Sequence, residues 1–426
     1  MTPLEHAHAA LRRLDGAATT TCAYYVPGRI ELLGKHTDYA GGRSLLCAAE
    51  RGIRLVAAPR TDARVRIVDA RSGERVELEL SAGLAPPPSP GHWATYPVTV
   101  ARRIASNFPG PPSLRGADLA FASDLPPAAG LSSSSALVVA VFTALAAVNG
   151  LERRPEYRAN IRSVLDLAGY LGTVENGQSF RALSGGGGDA GVGTFGGSED
   201  HTAILCSQAG VLRQYAFCPV RHERDVAFPR GWRLVIAVSG VVADKTGGAR
   251  ERYNRAAAQA AAILAAWCRA TKRSDATLAA ALASAPDAPA QLRRIVGGSL
   301  GRRLEQFLAE STEIIPAAAE VLARGDIAAL GPLVDRSQQL AERCLENQVA
   351  ETIGLARRAR ELGAAAASAF GAGFGGSVWA LVPEEAAPEF RAQWAEVYRQ
   401  DFPAVAPRAE FFVTGAGPGL ERVSVA

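Results

Sequence analysis

The sequence predicts an α+β protein built from two domains, and three observations carry that reading. Up to about Val220 the chain is dominated by short strand-like runs separated by glycine and proline turns. From Trp232 onward, long alanine-rich helical patterns take over. Nowhere do strands and helices alternate regularly, as a parallel doubly wound sheet would require. The 426 residues also exceed the roughly 250–300 at which a single core stops growing. With 48% hydrophobic and 21% charged residues, there is enough apolar material for two cores.

The elements follow in order. Met1 to Gly16 carries His6, His8, Arg12 and Arg13 but no apolar signal core, so it reads as a short amphipathic helix. Arg64 to Leu80 alternates apolar and polar residues around a Ser-Gly turn, the pattern of a hairpin. Ala85 to Gly91 is a loop and Trp93 to Ile104 a helix. Ser135 to Val148 is small and apolar throughout, which predicts a helix buried on most sides. Ser184 to Gly197 is rich in glycine and reads as a flexible surface loop. After a boundary near Val220 to Trp232, Leu234 to Val238 is β-like and Glu251 to Arg269 helical. Arg303 to Ala323, Ile327 to Glu346 and Ala350 to Leu362 are further helices, and Ser377 to Val382 is a last strand. The expected domains are therefore 1–225 and 226–426.

A net charge of +4 is small for this length and gives no reason to invoke nucleic acid. No run of about 18 apolar residues suggests a membrane span. Six scattered cysteines form no C-x-x-C pair, so neither zinc nor a redox pair is signalled. They read as small buried residues in a reducing cytoplasm, the expected location. Oligomeric state is not legible.

Three segments concentrate chemistry. Pro27 to Leu45 (PGRIELLGKHTDYAGGRSL) gathers Arg29, Lys35, His36 and Asp38 ahead of a Gly41-Gly42 turn, between two β-like stretches. Read alone, it is equally a turn opened by Asp38 beside a solvated Lys35. Asp124 to Ala140 (DLPPAAGLSSSSALVVA) places Gly130 and four serines before a helix. Such a start offers free backbone N–H groups and a positive dipole end to a phosphate. One serine would suffice as an N-cap; four call for another reason. Ala369 to Val382 (AFGAGFGGSVWALV) contains G-x-G-x-x-G at Gly371, Gly373 and Gly376. The dinucleotide version must follow a strand and open a helix, whereas here an alanine-rich helix precedes and a strand follows. A Walker A loop is absent as well: in GRIELLGKH five residues separate the glycines and His36 follows the lysine.

Together these segments resemble the three motifs of the GHMP kinases, specifically of the galactokinase type. PGRIELLGKHTDYAGG is similar to the sugar signature, LPPAAGLSSSSA to the phosphate-binding motif, and GAGFGGSVWALV to the C-terminal glycine motif. Their order and spacing match, and the likeness runs from Tyr25 through most of the chain. The resemblance implies a two-domain GHMP kinase fold, with an N-terminal ribosomal-protein-like α/β domain and a helix-rich α+β C-terminal domain. It implies an ATP- and Mg2+-dependent kinase acting on a sugar hydroxyl, the anomeric one, of galactose or a related sugar. Asp200, in TFGGSEDHTAIL, matches the family's catalytic aspartate, which takes the proton of the attacking hydroxyl or orients it. Arg29 would stand beside it and stabilise the transferring phosphoryl group. Pro127, Gly130, Leu131 and Ser132, Ser133, Ser134 and Ser135 match the ATP-binding motif, and Glu175 with Ser134 the magnesium ligands. Lys35, His36, Asp38 and Tyr253 match sugar-contacting positions; Gly373, Gly375 and Gly376 belong to the glycine motif. On their own chemistry, Glu175 is equally a solvated helix charge and Tyr253 a core tyrosine.

Two departures bear on substrate. Lys35 stands where the family has a glutamate that contacts the far end of the sugar, so the substrate is either galactose, with Lys35 turned to solvent, or a sugar with an anionic group such as a uronic acid. The interval from Glu175 to Asp200 is about twice the family's, through the SGGGGDAGVG insert, which leaves Asp189 as a competing aspartate. Another small-alcohol GHMP kinase, or a catalytically inactive sugar-responsive regulator, would share the fold.

Overall fold

The computed structural model describes residues 1–14, 20–81, 83–85, 92–185, 191–241 and 249–424. Two sheets organise it. Helix α1 (Pro3–Leu14) precedes β1 (Cys22–Leu33), β2 (Arg43–Pro59), β3 (Arg64–Asp69), β4 (Arg75–Glu79), α2 (Thr95–Asn107), β5 (Ala117–Ser123) and α3 (Ser133–Asn149). Then come α4 (Pro155–Asn160), α5 (Val164–Asn176), α6 (Glu199–Cys206), β6 (Val211–Ala216) and β7 (Arg221–Ala227). The first sheet runs β12 (Glu421–Val423), β1, β2, β5, β3, β4, with β6 and β7 continuing from β2. All its pairings are antiparallel except β3 with β5.

Successive side chains of β1 point to opposite faces. Ala23 joins α1 in a small cluster on one face. Tyr24, Val26 and Ile30 face the main core, to which α3 contributes Val138, Val139 and Phe142. Covered on both sides, β1 is buried along its whole length. That explains why α3 is apolar all round, as its sequence predicts. The Arg64 to Leu80 hairpin is also as expected, paired through Arg64–Glu79 to Val68–Arg75.

The second sheet begins with β8 (Trp232–Val238). Helices α7 (Ala249–Thr271), α8 (Leu278–Leu282), α9 (Ala288–Ile295), α10 (Gly298–Leu308), α11 (Ile315–Ala323), α12 (Ile327–Leu340) and α13 (Ala350–Glu361) follow. The chain closes with β9 (Ala366–Phe370), β10 (Ser377–Pro383), α14 (Ala387–Asp401), β11 (Glu410–Thr414) and β12 (Glu421–Val423). This sheet runs β11-β8-β10-β9 and is antiparallel throughout. β12 returns to pair with β1 in the first sheet.

Two expectations need correction. The alanine-rich stretch directly before the glycine motif is strand β9, not helix. Pairing with β10 overrides the helical preference of alanine, and the small side chains suit a strand buried on both faces. The dinucleotide reading still fails, because the glycines join two antiparallel strands and open no helix. The Arg303 to Ala323 helix, in turn, is interrupted by a π turn over Ala309–Ile314. Pro316 cannot donate to the α ladder, and the widened turn ahead of it carries Glu310 and Ser311 into the interior.

A separate cluster formed by α7 to α10 includes Ala40 of the turn after β1. Phe307, fully buried there, approaches Gly42 so closely that a Cβ on that glycine would lie 2.9 Å from its ring. The helical layer thus holds the turn that carries His36 and Asp38. Phe307→Ala should cost about 3–5 kcal/mol, the range for emptying a buried aromatic site. Thermal unfolding checks this; an unchanged Tm would mean that the layer does not support the turn.

Candidate active site

β1 carries two charged residues on one side, Arg29 and Glu31, both almost wholly buried. Gly28 lets the strand press against the segment that leads into α3: a Cβ there would lie 2.9 Å from the Leu131 carbonyl oxygen. The Arg29 backbone N–H donates to that carbonyl at 3.0 Å, and its Nη1 to the Gly130 carbonyl at 3.0 Å. The remaining face of the guanidinium meets Asp200, with Nε at 2.8 Å and Nη2 at 2.5 Å from Oδ1. Burial opposes the Arg29 charge, but Asp200, Glu199 and Glu31 outweigh it and hold the guanidinium protonated.

Asp200 stands in the first turn of α6, whose N-terminus is anchored from outside. Ser198 does not cap it with its side chain; Asp38 does, Oδ2 accepting from the Glu199 N–H at 3.1 Å. Oδ1 of Asp38 accepts from the Tyr39 N–H at 2.8 Å. Gly197 leaves room for this carboxylate, since a Cβ there would stand 2.3 Å from Oδ2. Glu199 is buried beside it and accepts from Ser44 Oγ at 2.5 Å. Glu175, on α5, accepts from Ser135 Oγ at 2.8 Å and lies 3.1 Å from His201 Nε2. Ser135 Oγ is also 3.3 Å from Asp200 Oδ2.

His36 has a left-handed backbone, φ 58°. Its Nε2 must donate to the Ala372 carbonyl at 3.0 Å, so a neutral ring accepts at Nδ1 from Tyr39 Oη, 2.9 Å away. The Tyr253 ring lies 5.0 Å from the His36 ring, centroid to centroid. Burial and then Asp38 and Asp200 push the Tyr253 phenol well above its usual range.

These groups line a cleft of roughly 510 Å³, counted to its open mouth. Its carboxyl groups are Glu31, Asp38, Glu175, Glu199 and Asp200; Arg29 is the arginine among its lining residues, which include no lysine. Thr194, Gly196 and Gly197 belong to the same wall, so the described end of the glycine-rich insert is packed against the site and is not a free surface loop.

The phosphate-type segment has the geometry of an open helix start. Ser132 is left-handed at φ 59°, and its side chain caps nothing, which removes the N-cap explanation for the serine run. Its buried Oγ has no partner among the described residues. Ser133 and Ser134 are half-exposed. Pro127 is exposed, and Gly130 and Leu131 hold Arg29 through their carbonyls. The glycine motif buttresses this corner. Gly371 N–H donates to Glu31 Oε2 at 3.2 Å, and Ser377 Oγ to the Ala129 carbonyl at 2.5 Å. Gly373, at φ 78°, leaves no room for a Cβ against the Asn347 carbonyl, and Gly375 and Gly376 turn the chain at φ 130° and 82°.

The structure therefore gathers Arg29, His36, Asp38, Glu175, Asp200 and Tyr253 around one cleft. Lys35, 1% exposed, is not turned to solvent and is not among the residues that line the cleft. Lys35 Nζ donates to Ser337 Oγ at 3.0 Å, behind the cleft wall and close enough to Glu31 to offset its charge. Glu310, brought in by the π turn, accepts from the Gly34 N–H at 2.9 Å in the same region. Within the serine run it is Ser135 that donates to Glu175, while Ser134 is half-exposed. Asp189 lies outside the described residues. Glu31, Glu199 and His201 were not singled out from the sequence. A glutamate two residues from an arginine in an apolar strand was the available signal for the first, and adjacency to Asp200 for the others.

Glu175 and Ser135 offer one carboxylate and one hydroxyl. That is a fit for a magnesium ion carried by phosphates, which needs only one or two protein oxygens, and not for a resident metal. Among the described residues no group of three or more His, Cys, Asp or Glu could hold a metal ion. Among the same residues no helix is long and apolar enough to cross a membrane.

Comparison with known proteins gives three family matches. The galactokinase galactose-binding signature covers residues 13–59, the GHMP kinases N terminal domain 95–197, and the GHMP kinases C terminal domain 318–400. A galactokinase of Chloroflexus aggregans is 28% identical over 398 residues, 92% of this chain and 91% of that protein. One from a Roseiflexus species is 28% identical over 411 residues, 93% and 92% of the two chains. The crystal structure of Lactococcus lactis galactokinase complexed with galactose superposes with a TM-score of 0.81 at 21% identity, covering 99% of this chain and all of that one. Methanococcus jannaschii mevalonate kinase follows at 0.58 and 13%, over 95% and 99%. The fold is thus the two-domain GHMP kinase fold.

Two expectations follow from the geometry. Lys35→Glu would bury another carboxylate near Glu31 and Glu310, so it should destabilise by about 3–5 kcal/mol, the range for breaking a buried pair. Thermal unfolding measures this, and a stable variant with switched sugar preference would contradict it. Gly373→Ala should lower Tm by several degrees, through both its positive φ and the clash with Asn347, a cost on the order of 1–3 kcal/mol or more. An unaltered melting curve would show that the glycine is dispensable.

Proposed function

Because this chain is a galactokinase-like member of the GHMP kinases, we propose that it transfers the γ-phosphoryl group of ATP to the anomeric hydroxyl of galactose or a closely related neutral sugar. The observation that carries this reading is the Arg29–Asp200 pair on the cleft wall, joined through Ser135 to the N-terminus of α3. Asp200 is placed to accept, or hold aligned, the hydrogen of the attacking hydroxyl. Arg29 keeps Asp200 ionised and faces the charge that develops on the phosphoryl group. The uncapped N–H groups of α3 and the half-exposed hydroxyls of Ser133 and Ser134 suit the nucleotide's phosphates. Glu175 and Ser135 would hold magnesium, which supplies neutralisation of the triphosphate charge. Phosphoryl transfer asks for little beyond such positioning and charge balance.

His36, Asp38, Tyr253 and Glu31 form the sugar side. With five carboxyl groups in the lining and Lys35 behind it, the cleft favours a neutral polyol over a uronic acid. Retention of the Arg29–Asp200 pair supports an enzyme and not an inactive sugar sensor.

The test is ADP release with Mg-ATP across galactose, glucose, arabinose, N-acetylgalactosamine, galacturonate and glucuronate. Galactose or a neutral relative should turn over, and both uronates should fail. Silence on every sugar while ATP still binds would refute the reading. Asp200→Asn should lower kcat by about 10²–10⁴, the usual share of a general base, and leave ATP affinity nearly unchanged. Full activity in that variant would place the chemistry elsewhere.

A further inference from the structure

Between α5 and α7 a strap of backbone, residues 191–197, runs along the cleft and is held from both sides. Its start is fixed to α5, where the Val192 N–H donates to the Glu175 carbonyl at 2.8 Å. Asn176 Nδ2 donates to the Gly196 carbonyl, also at 2.8 Å. From the other side, a single side chain of α7 clasps the strap. Asn254 Oδ1 accepts from the Phe195 N–H at 3.0 Å, and Asn254 Nδ2 donates to the Gly193 carbonyl at 3.2 Å. The residue enclosed by that clasp is Thr194.

The strap acts as a partition. Thr194 is 3% exposed and belongs to the cleft lining. Phe195, next to it, is 56% exposed and lines a separate apolar trough with Ala257, Ala261 and Leu264. Further along, the strap passes the sugar side of the cleft. A Cβ on Gly196 would lie 2.8 Å from Tyr253 Oη, and one on Gly197 2.3 Å from Asp38 Oδ2. The Thr194 hydroxyl has no hydrogen-bond partner among the described residues. A hydroxyl withdrawn from bulk water without a partner is costly, and such a group in a cleft wall marks a place that a ligand completes.

We propose that Thr194 is a further sugar-binding residue, its hydroxyl paired with a hydroxyl of the bound neutral sugar, and that Asn254 is the positioning residue that aims it. The inference deepens the proposed function and rests on it for the identity of the ligand. A threonine hydroxyl both donates and accepts, so it can pair with a sugar hydroxyl in either sense, and it adds no charge to a lining already rich in carboxyl groups. Asn254 suits its part for a related reason. Its amide offers one acceptor and one donor, as a neighbouring strand would, and so fixes the peptide groups before and after residue 194.

The test is equilibrium binding of galactose, followed by calorimetry in the presence of a non-hydrolysable ATP analogue, so that turnover is not needed. Thr194→Val removes the hydroxyl and keeps the shape. It should weaken galactose binding at least about fivefold and leave affinity for the analogue unchanged, while Thr194→Ser should bind nearly as the unmodified protein does. Asn254→Ala should weaken galactose binding to a similar degree. Adding Thr194→Val to Asn254→Ala should then cost little more, because Asn254 acts through Thr194. Should Asn254→Ala fail to fold, Asn254→Asp, which keeps the acceptor for Phe195 and loses the donor to Gly193, takes its place. Unaltered galactose binding in Thr194→Val, equal losses in the serine and valine variants, or losses that add in the double variant would overturn the assignment. Galactose bound but not phosphorylated by the unmodified protein would refute the kinase reading and leave these affinities to decide this one. No binding of galactose at all would refute both.

Discussion

The site depends on one buried guanidinium. Arg29 joins three parts of the chain that are distant in sequence: the first strand, the segment that opens α3, and the start of α6. An unpaired arginine could not stay at 2% exposure, so Asp200 and the Gly130 carbonyl are conditions for the strand to close as it does. The converse also holds. Asp200 is aimed by Arg29, and its helix starts where Asp38 receives the Glu199 N–H. Structure and chemistry share these groups, so removal of either partner affects both.

Around that pair, charge is arranged in layers. The cleft wall is rich in carboxyl groups, and the cations that balance them lie largely behind it. Lys35 rests on Ser337, and Arg303 donates to the His36 carbonyl and to Tyr39 Oη. Such an arrangement suits hydroxyl-rich neutral ligands, whose donors can satisfy carboxylates without adding charge. It also makes the π turn at Ala309–Ile314 functional in a physical sense, because that turn carries Glu310 to the Gly34 N–H beside the motif.

Much of this was legible in the sequence. Periodicity gave the hairpin, the buried α3 and most of the long helices. The motifs, and the resemblance built on them, pointed to many of the residues that line the cleft, including Glu175 and Asp200, which share Ser135 despite the long insert between them. What sequence could not give was direction and register. Lys35 lies in a motif of cleft residues yet points behind the wall, because which side a side chain takes after the Gly34 turn depends on tertiary packing. Ser134 and Ser135 are equivalent in a serine run, and only the helix phase turns Ser135 toward Glu175. The alanines of β9 have a helical preference that strand pairing overrides. Glu31 and Glu199 went unnoticed because a glutamate announces burial only through the partners it meets in space.

The most direct measurement is a structure of the complex with galactose and a non-hydrolysable ATP analogue. The account predicts the anomeric hydroxyl within hydrogen-bond reach of Asp200 and the γ-phosphate between Arg29 and the N-terminus of α3. A sugar bound in this cleft with its anomeric carbon turned away from Asp200, or a nucleotide seated elsewhere, would contradict it.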